Sequence, residues 1–414
     1  MKSSGAPAAR KEALLLRSLL PLYVVVFTGF VGYSLMITVF TPMLLRADRT
    51  MLPPNTSIAH RTILLGTLLC LYPLGQFIGS PILGVLSDRL GRRRVLLSSL
   101  AVTTLCYALI ALAIGADNLA LLALTCFITG LSEANVVLAQ SAVADVVCAQ
   151  DRNRYFGYIY MAASLAYIIG PLGGGKLTDP QLLAWFSNAT PFWAVFILLV
   201  ITNLATLILF RETRSLGPPS AGSLTEGFTS LRLIVTDQRL RRFYGVNLLL
   251  YVAIFGFFRS YPMYLVDEFR LNESRISEFI AWVGLPIVLA NLWFTGFLSA
   301  HLRTKTVTAW SAALTGAFMI AVILPQGQAG LWPVLFLAAA ALAVCLPSSA
   351  SLLSNAATPA EQGRAMGNNQ AIQVGAEALS GLAAGLMAAI IVKLPLIVLG
   401  MVSLAAATLV LVAI

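Results

Sequence analysis

Residues Gly75–Leu97 read GQFIGSPILGVLSDRLGRRRVLL. A glycine-rich apolar run gives way at Asp88 to four arginines and one aspartate within seven positions, and a second apolar run follows. The cluster interrupts a chain of 414 residues that is 58% hydrophobic and only 11% charged, with a mean hydropathy of +0.86. A soluble fold of that composition would expose far more apolar surface than water tolerates. The chain belongs in a bilayer, and Asp88–Arg94 is a short loop at the bilayer surface.

A hydrocarbon core about 30 Å thick needs about 20 apolar residues per helix. The sequence divides into twelve such runs: 19–45, 61–85, 94–114, 118–148, 155–178, 189–210, 242–266, 276–299, 305–325, 330–357, 364–391 and 394–413. The N-terminal segment MKSSGAPAARKEALLLR has a basic flank, but the apolar run after it is long and lacks a small-residue cleavage site. It reads as a first span rather than a removed signal. The five cysteines, Cys70, Cys106, Cys126, Cys148 and Cys345, fall in separate runs without ligand-like spacing, so neither a disulfide framework nor a metal site is expected. No cofactor is expected.

Charge sets the orientation. With a cytoplasmic N-terminus and every run spanning, 19 of the 27 basic residues fall in cytoplasmic segments, among them Arg89, Arg92, Arg93 and Arg94. Seven fall outside: Arg46, Arg49, Arg61, Lys176, Arg270, Arg275 and Lys393. That asymmetry obeys the positive-inside rule and places both termini in the cytoplasm. The anionic inner leaflet accounts for the net charge of +10, and dispersed loop charges argue against a nucleic-acid partner.

The chain also repeats itself. DRNRYFGY from Asp151 and EQGRAMGN from Glu361 match in acid, arginine and glycine at an offset of 210. GVLSDRLGRRR from Gly84 has a decayed counterpart in GFLSAHLRTKT from Gly296. TPMLL and YPMYL follow the first and seventh runs. The expected architecture is an all-α membrane protein of twelve transmembrane helices in two six-helix pseudo-symmetric bundles, 1–210 and 242–414. A central cytoplasmic loop, 211–241, joins them; its GPPSAGS breaks hydrophobicity, and SLTEGFTSLRLIVTDQRLRRF within it has the pattern of a short surface helix.

Gly75–Leu97 resembles the signature that major facilitator superfamily transporters carry between their second and third helices. It is most similar to the drug:proton antiporter branch that includes tetracycline exporters. The resemblance implies a gating role for Gly84, Asp88, Arg89, Gly91, Arg92 and Asp145. Asp88 would face the N-terminus of the eleventh helix around Gly363–Gly367, where backbone N–H groups favour a carboxylate, and Arg92 would reach Asp145. Gly84 and Gly91 would permit close approach. Arg93 and Arg94 read as headgroup anchors. In the fifth run, YIIGPLGGGKL supplies Gly170, Pro171, Gly174 and Gly175, which resemble the antiporter motif of that branch. Two of the branch's usual charges are missing: an acid in the first helix, near Phe30 here, and an arginine at Cys126. Proton coupling must therefore use other residues.

The candidates are charges at mid-depth, which cost several kcal/mol unless paired or used. They are Glu133, Arg259 and Glu377. Helical spacing aligns Cys126, Thr129, Glu133 and Gln140 in the fourth run, and Gln370, Gln373, Glu377 and Ser380 in the eleventh. Ser34, Thr38 and Thr41, and Ser348, Ser351 and Asn355, add polar stripes, and together these would line a central cavity. One arginine cannot neutralise two carboxylates, and a carboxylate in a low-dielectric cavity can carry a proton. An interhelical Glu–Arg pair that merely orders the bundle is the plainer alternative. Aromatic residues of the seventh run, from Tyr251 to Tyr261, could stack on a ligand or simply pack.

The expected protein is a working monomer in a bacterial inner membrane. It is a secondary transporter that moves a small organic solute by alternating access and exports that solute against protons. Proton-coupled import of a metabolite or siderophore-like anion is the second reading, since Arg259 could bind an anionic group. An enzyme is disfavoured, because no nucleophile sits beside a base within the spans.

Overall fold

In the computed structural model the described residues are 5–46, 51–53, 55–133, 135–147, 152–213, 236–290, 294, 297–298, 301–358 and 362–413. They form thirteen helices: α1 (Gly5–Leu45), α2 (Ile58–Leu90), α3 (Arg92–Gly115), α4 (Leu119–Ser132), α5 (Asn135–Val146), α6 (Arg152–Lys176), α7 (Thr190–Leu209), α8 (Arg241–Phe269), α9 (Glu273–Leu289), α10 (Thr304–Ala321), α11 (Gln328–Ala356), α12 (Gln362–Ile390) and α13 (Leu394–Ala413). Helices keep every backbone N–H and C=O bonded inside the segment, which lipid requires. Nine stretches among the described residues are long and apolar enough to cross a membrane, counting α4 and α5 together as Leu119–Val146. With α6, α9 and α10 they occupy the twelve expected runs.

Some expectations fall outside the described residues. Most of the central loop, with the surface helix read from Ser223, lies in 214–235. Cys148, most of the end of the eighth run and Gly296 of the decayed repeat also lie outside the described residues.

Two sets of contacts organise the helices. In the first half α1 packs on α6 and α7, while α4 packs on α2 and α3. In the second, α10 packs on α11 and α13, α8 on α12 and α13, and α9 on α11. The halves meet where α2 lies along α12, α6 along α9, and α1 against α8. In span order, the second pairs with the eleventh and the fifth with the eighth. Exchanging the two halves maps one pair onto the other, as a pseudo-two-fold repeat demands.

Small residues make these seams. A Cβ on Gly66 of α2 would lie 2.7 Å from the Gly381 carbonyl oxygen and 2.8 Å from the Gly385 Cα of α12. A Cβ on Gly175 of α6 would lie 2.6 Å from the Glu273 carbonyl oxygen of α9. Backbones therefore touch, which is how helices associate where lipid removes the hydrophobic drive. Gly170 and Gly174 bring α6 equally close to Ser34 and Leu35 of α1, within the first bundle. Pro171 lies inside α6 beside them.

The loop quoted above is a polar clasp within the first bundle. Gly91 adopts φ 94°, a left-handed conformation that penalises any side chain. Arg92, only 7% exposed, is surrounded by acceptors: Nη2 lies 2.7 Å from Asp88, Nε 3.0 Å from Asp145, and Nη1 2.5 Å from Ser87. Full pairing is what makes a buried guanidinium tolerable. Glu212, which the sequence reading passed over, accepts from the backbone N–H groups of Arg92 and Arg93 at 2.9 and 3.1 Å. It caps α3, placing a carboxylate on the positive end of that helix.

Two expectations about this loop need correction. Gly84 is not a close-approach site, because a Cβ there would meet only Val137 Cγ1 at an ordinary 3.9 Å. Arg93 is more than a headgroup anchor: its Nη2 donates to the Leu207 carbonyl at 2.6 Å, near the end of α7. Asp88 also pairs with Arg92 along its own chain; its expected contact with the start of α12 involves the side chains at 361–364, which lie outside the described residues. Arg89 is exposed.

Two outcomes follow. Gly385→Val should overpack the α2–α12 seam and cost about 1–3 kcal/mol, read as a lower thermal midpoint of the purified protein. Glu212→Ala should free two N–H groups at the start of α3 and cost about 1 kcal/mol, read the same way, whereas Arg94→Ala, on the exposed side, should leave the midpoint unchanged.

Candidate functional site

At mid-depth the two bundles meet on a buried charge. Arg259 of α8 is 1% exposed and Glu377 of α12 is 7% exposed. Gly381, one turn beyond Glu377, leaves the space that admits the guanidinium: a Cβ there would lie 3.3 Å from Arg259 Nε. Arg259 Nη2 is 3.4 Å from Glu377 Oε1. Tyr33, from α1 of the other bundle, completes the group. Its hydroxyl accepts from Arg259 Nη2 at 2.6 Å and donates to Glu377 Oε1 at 2.5 Å. Arg259 also donates from Nη1 to the Phe255 carbonyl at 3.3 Å. Removing one partner of such a group leaves an uncompensated charge and costs about 3–5 kcal/mol.

Glu133 belongs to an adjoining group. Helix four is not continuous, as the sequence reading assumed: α4 ends at Ser132, and Glu133 takes φ −100°, ψ 67° before α5 begins at Asn135. The break puts Glu133, 3% exposed, beside Tyr72 of α2, whose hydroxyl hydrogen-bonds its carboxylate, and in electrostatic range of Tyr107. Gln76 donates to the Glu133 main-chain carbonyl at 3.2 Å, occupying an acceptor that the break frees. Tyr72 stacks on Tyr33 with ring centroids 4.3 Å apart and planes at 15°. Two aromatic rings thus separate the Glu133 group from the Glu377 group.

The other expected residues scatter. The break removes Gln140 from the face of Glu133; its amide donates to the Tyr160 hydroxyl at 3.0 Å between α5 and α6. Ser34 faces neighbouring backbone, not a cavity, donating to the Ala166 carbonyl at 3.1 Å. Thr38 is fully buried and its hydroxyl meets no acceptor. Asn355 is exposed at the end of α11 rather than at mid-depth. Gln373 is half-buried one turn before Glu377. No cluster able to hold a metal occurs among the described residues.

Tyr33 was missed because the first helix was read for its hydroxyl stripe, which led to Ser34 and Thr38. A signal was available. Membrane tyrosines favour the interfaces, so Tyr33 and Tyr72, far from the ends of their helices, mark buried polar partners.

The cross-bundle contacts continue toward the face opposite the Asp88–Arg94 loop. There Lys176 of α6 donates to Ser274 and Glu278 of α9 at 2.8 and 2.9 Å, and Arg46 lies 3.6 Å from Glu273. On the same face, Glu268 beside Lys393 holds that ammonium above the usual lysine range. At the loop face, by contrast, a Cβ on Gly157 of α6 or Gly367 of α12 would meet nothing within 4 Å among the described residues. Among the described residues, the backbone-tight glycine contacts of the seams therefore lie toward the face opposite the loop.

Comparison with known proteins agrees with this architecture. The Major Facilitator Superfamily profile matches residues 22–372. Tetracycline resistance protein class G of Vibrio anguillarum is 29% identical across 79% of this chain and 80% of that protein. Tetracycline resistance protein class C of Escherichia coli is 28% identical across 74% of this chain and 75% of that protein. The crystal structure of a D-xylose–proton symporter superposes with a TM-score of 0.74 over 95% of this chain and 96% of that one, at 15% identity, which speaks to the fold alone. Two pseudo-symmetric helical bundles meeting at small-residue seams, together with this match along most of the sequence, make the chain a member of the Major Facilitator Superfamily of membrane transporters.

Proposed function

We propose that the protein is a proton-coupled efflux transporter of small organic solutes, working by alternating access. The observation that carries this reading is the Arg259–Glu377–Tyr33 group, a titratable carboxylate held where the two bundles meet. The relatives named for tetracycline resistance support export. Arg259 Nη2 is committed to Glu377 and Tyr33, and the side chain is sealed from solvent with Nε against Gly381, which weighs against its binding an imported anion.

In this reading the bundles are 1–210 and 242–414, joined by 211–241. The Asp88–Arg94 face is cytoplasmic, and so are both termini. The membrane is a bacterial inner membrane, and the working unit is a monomer in lipid whose only other partners are solute and protons. The tight seams at Gly66–Gly385 and Gly175–Glu273 then close the outer side, and the loose ends of α6 and α12 leave the cytoplasmic side to the solute. The clasp at Asp88, Arg92 and Asp145 keeps α2, α3 and α5 moving as one body. In the opposite state, Asp88 and Arg89 would meet the start of α12.

Chemically the cycle needs a group that takes a proton from outside and gives it up inside. Glu377 is placed for this role, because in the outer-closed state a cation and a hydroxyl both address its carboxylate. Glu133, beside Tyr72 and Tyr107, suits a role as a second acid on the substrate side.

Everted vesicles provide the test. Acidifying the interior should drive accumulation of tetracycline, and Glu377→Gln should lower that uptake about tenfold or more. Uptake that keeps its full pH dependence in Glu377→Gln would refute the coupling assignment, and loss of tetracycline on acidification would refute export.

A further inference from the structure

We infer that Tyr33 is the residue that ties proton release to closure of the outer face, a role that rests on Glu377 being the proton carrier. Glu377 and Arg259 both belong to the second bundle, and neither their separation nor their charge depends by itself on where the first bundle lies. Tyr33 supplies that dependence. It reaches across from α1, and one hydroxyl proton and one lone pair engage both partners together.

While the outer face is closed, the Tyr33 hydroxyl donates to Glu377, and a carboxylate that accepts a hydrogen bond holds a proton less well. Opening the outer face moves α1 away from α8 and α12 and withdraws that donor. The carboxylate then keeps only Arg259 and takes up a proton more readily. By linkage, a proton that binds better in the open state favours that state to the same degree. Tyr33 keeps its own proton throughout; the transported proton enters and leaves at the Glu377 carboxylate.

Charged and titratable groups face Glu377 from three packed helices. Arg259 approaches from α8 and Tyr33 from α1. Tyr167 of α6 lies in electrostatic range and packs edge-on to Tyr33 at 6.4 Å. From α2, Cys70 lies in range of Arg259, and Tyr72 stands between Tyr33 and Glu133. Among these, the cross-bundle hydroxyl in contact with the carboxylate is that of Tyr33. Its ring is held independently by the Tyr72 stack, so removing the oxygen leaves the packing in place.

Tyr33→Phe therefore isolates the hydroxyl. Spin labels at Gln181→Cys and Gln326→Cys, on exposed outer ends of the two bundles, report the opening as a distance read by double electron–electron resonance. The measurement is made across a pH series on the full chain in nanodiscs, with native cysteines replaced by alanine. The wild-type distance should lengthen as pH falls. In Tyr33→Phe the midpoint should move toward alkaline pH by about one unit, a tenfold gain in proton affinity. Tyr167→Phe should leave the midpoint in place, and Tyr33→Phe should add no pH effect in a Glu377→Gln background.

A midpoint unmoved in Tyr33→Phe, or moved equally by Tyr167→Phe, overturns the role of Tyr33 and leaves Glu377 as the carrier. A wild-type distance that ignores pH overturns the carrier assignment itself.

Discussion

A guanidinium sealed from solvent at mid-membrane is the constraint around which this structure is arranged. Arg259 cannot be neutralised by losing its proton, so every neighbour has to be an acceptor or stay out of the way. Glu377 supplies charge, Tyr33 and the Phe255 carbonyl supply oxygen atoms, and Gly381 supplies room. These contributions come from both bundles. The cost of burying the charge is met only when α1, α8 and α12 stand together, so the chemistry of one side chain is bound to the relative placement of two six-helix bodies.

The seams make that placement switchable. Glycine-to-backbone contact along α2–α12 and α6–α9 gives short-range attraction without interlocked side chains, and such surfaces can separate without unthreading. The polar contacts at Lys176–Glu278 and Arg46–Glu273 lie partly in water, where ion pairs are worth about 0–1 kcal/mol, so they orient the closed face more than they lock it. The clasp at Arg92 works the other way. Its acceptors all lie in the first bundle, and it stiffens a body that has to move as a unit.

Much of this was legible in the sequence. The hydropathy runs located the spans, the repeats implied two halves, and the cost of burying charge picked out Glu133, Arg259 and Glu377. The failures share a cause. Aligning Glu133 with Gln140 assumed an unbroken helix, and neither proline nor glycine marks the break at Glu133; the freed carbonyl is satisfied by Gln76, 57 positions away in α2, which local pattern does not reveal. Ser34 and Thr38 were taken as cavity residues on periodicity alone, yet hydroxyls in lipid also bond backbone or lie buried between helices, as these do. Glu212 and Tyr33 act on partners more than a hundred residues away, and only the folded arrangement brings them there.

The central claim is that Glu377 gains and loses the coupled proton at the bundle interface. Infrared difference spectroscopy of the protein in lipid, stepping the pH downward, observes that event directly. The account predicts a protonated-carboxyl C=O band that appears on acidification and is absent from Glu377→Gln. A band of unchanged intensity in that variant would contradict it.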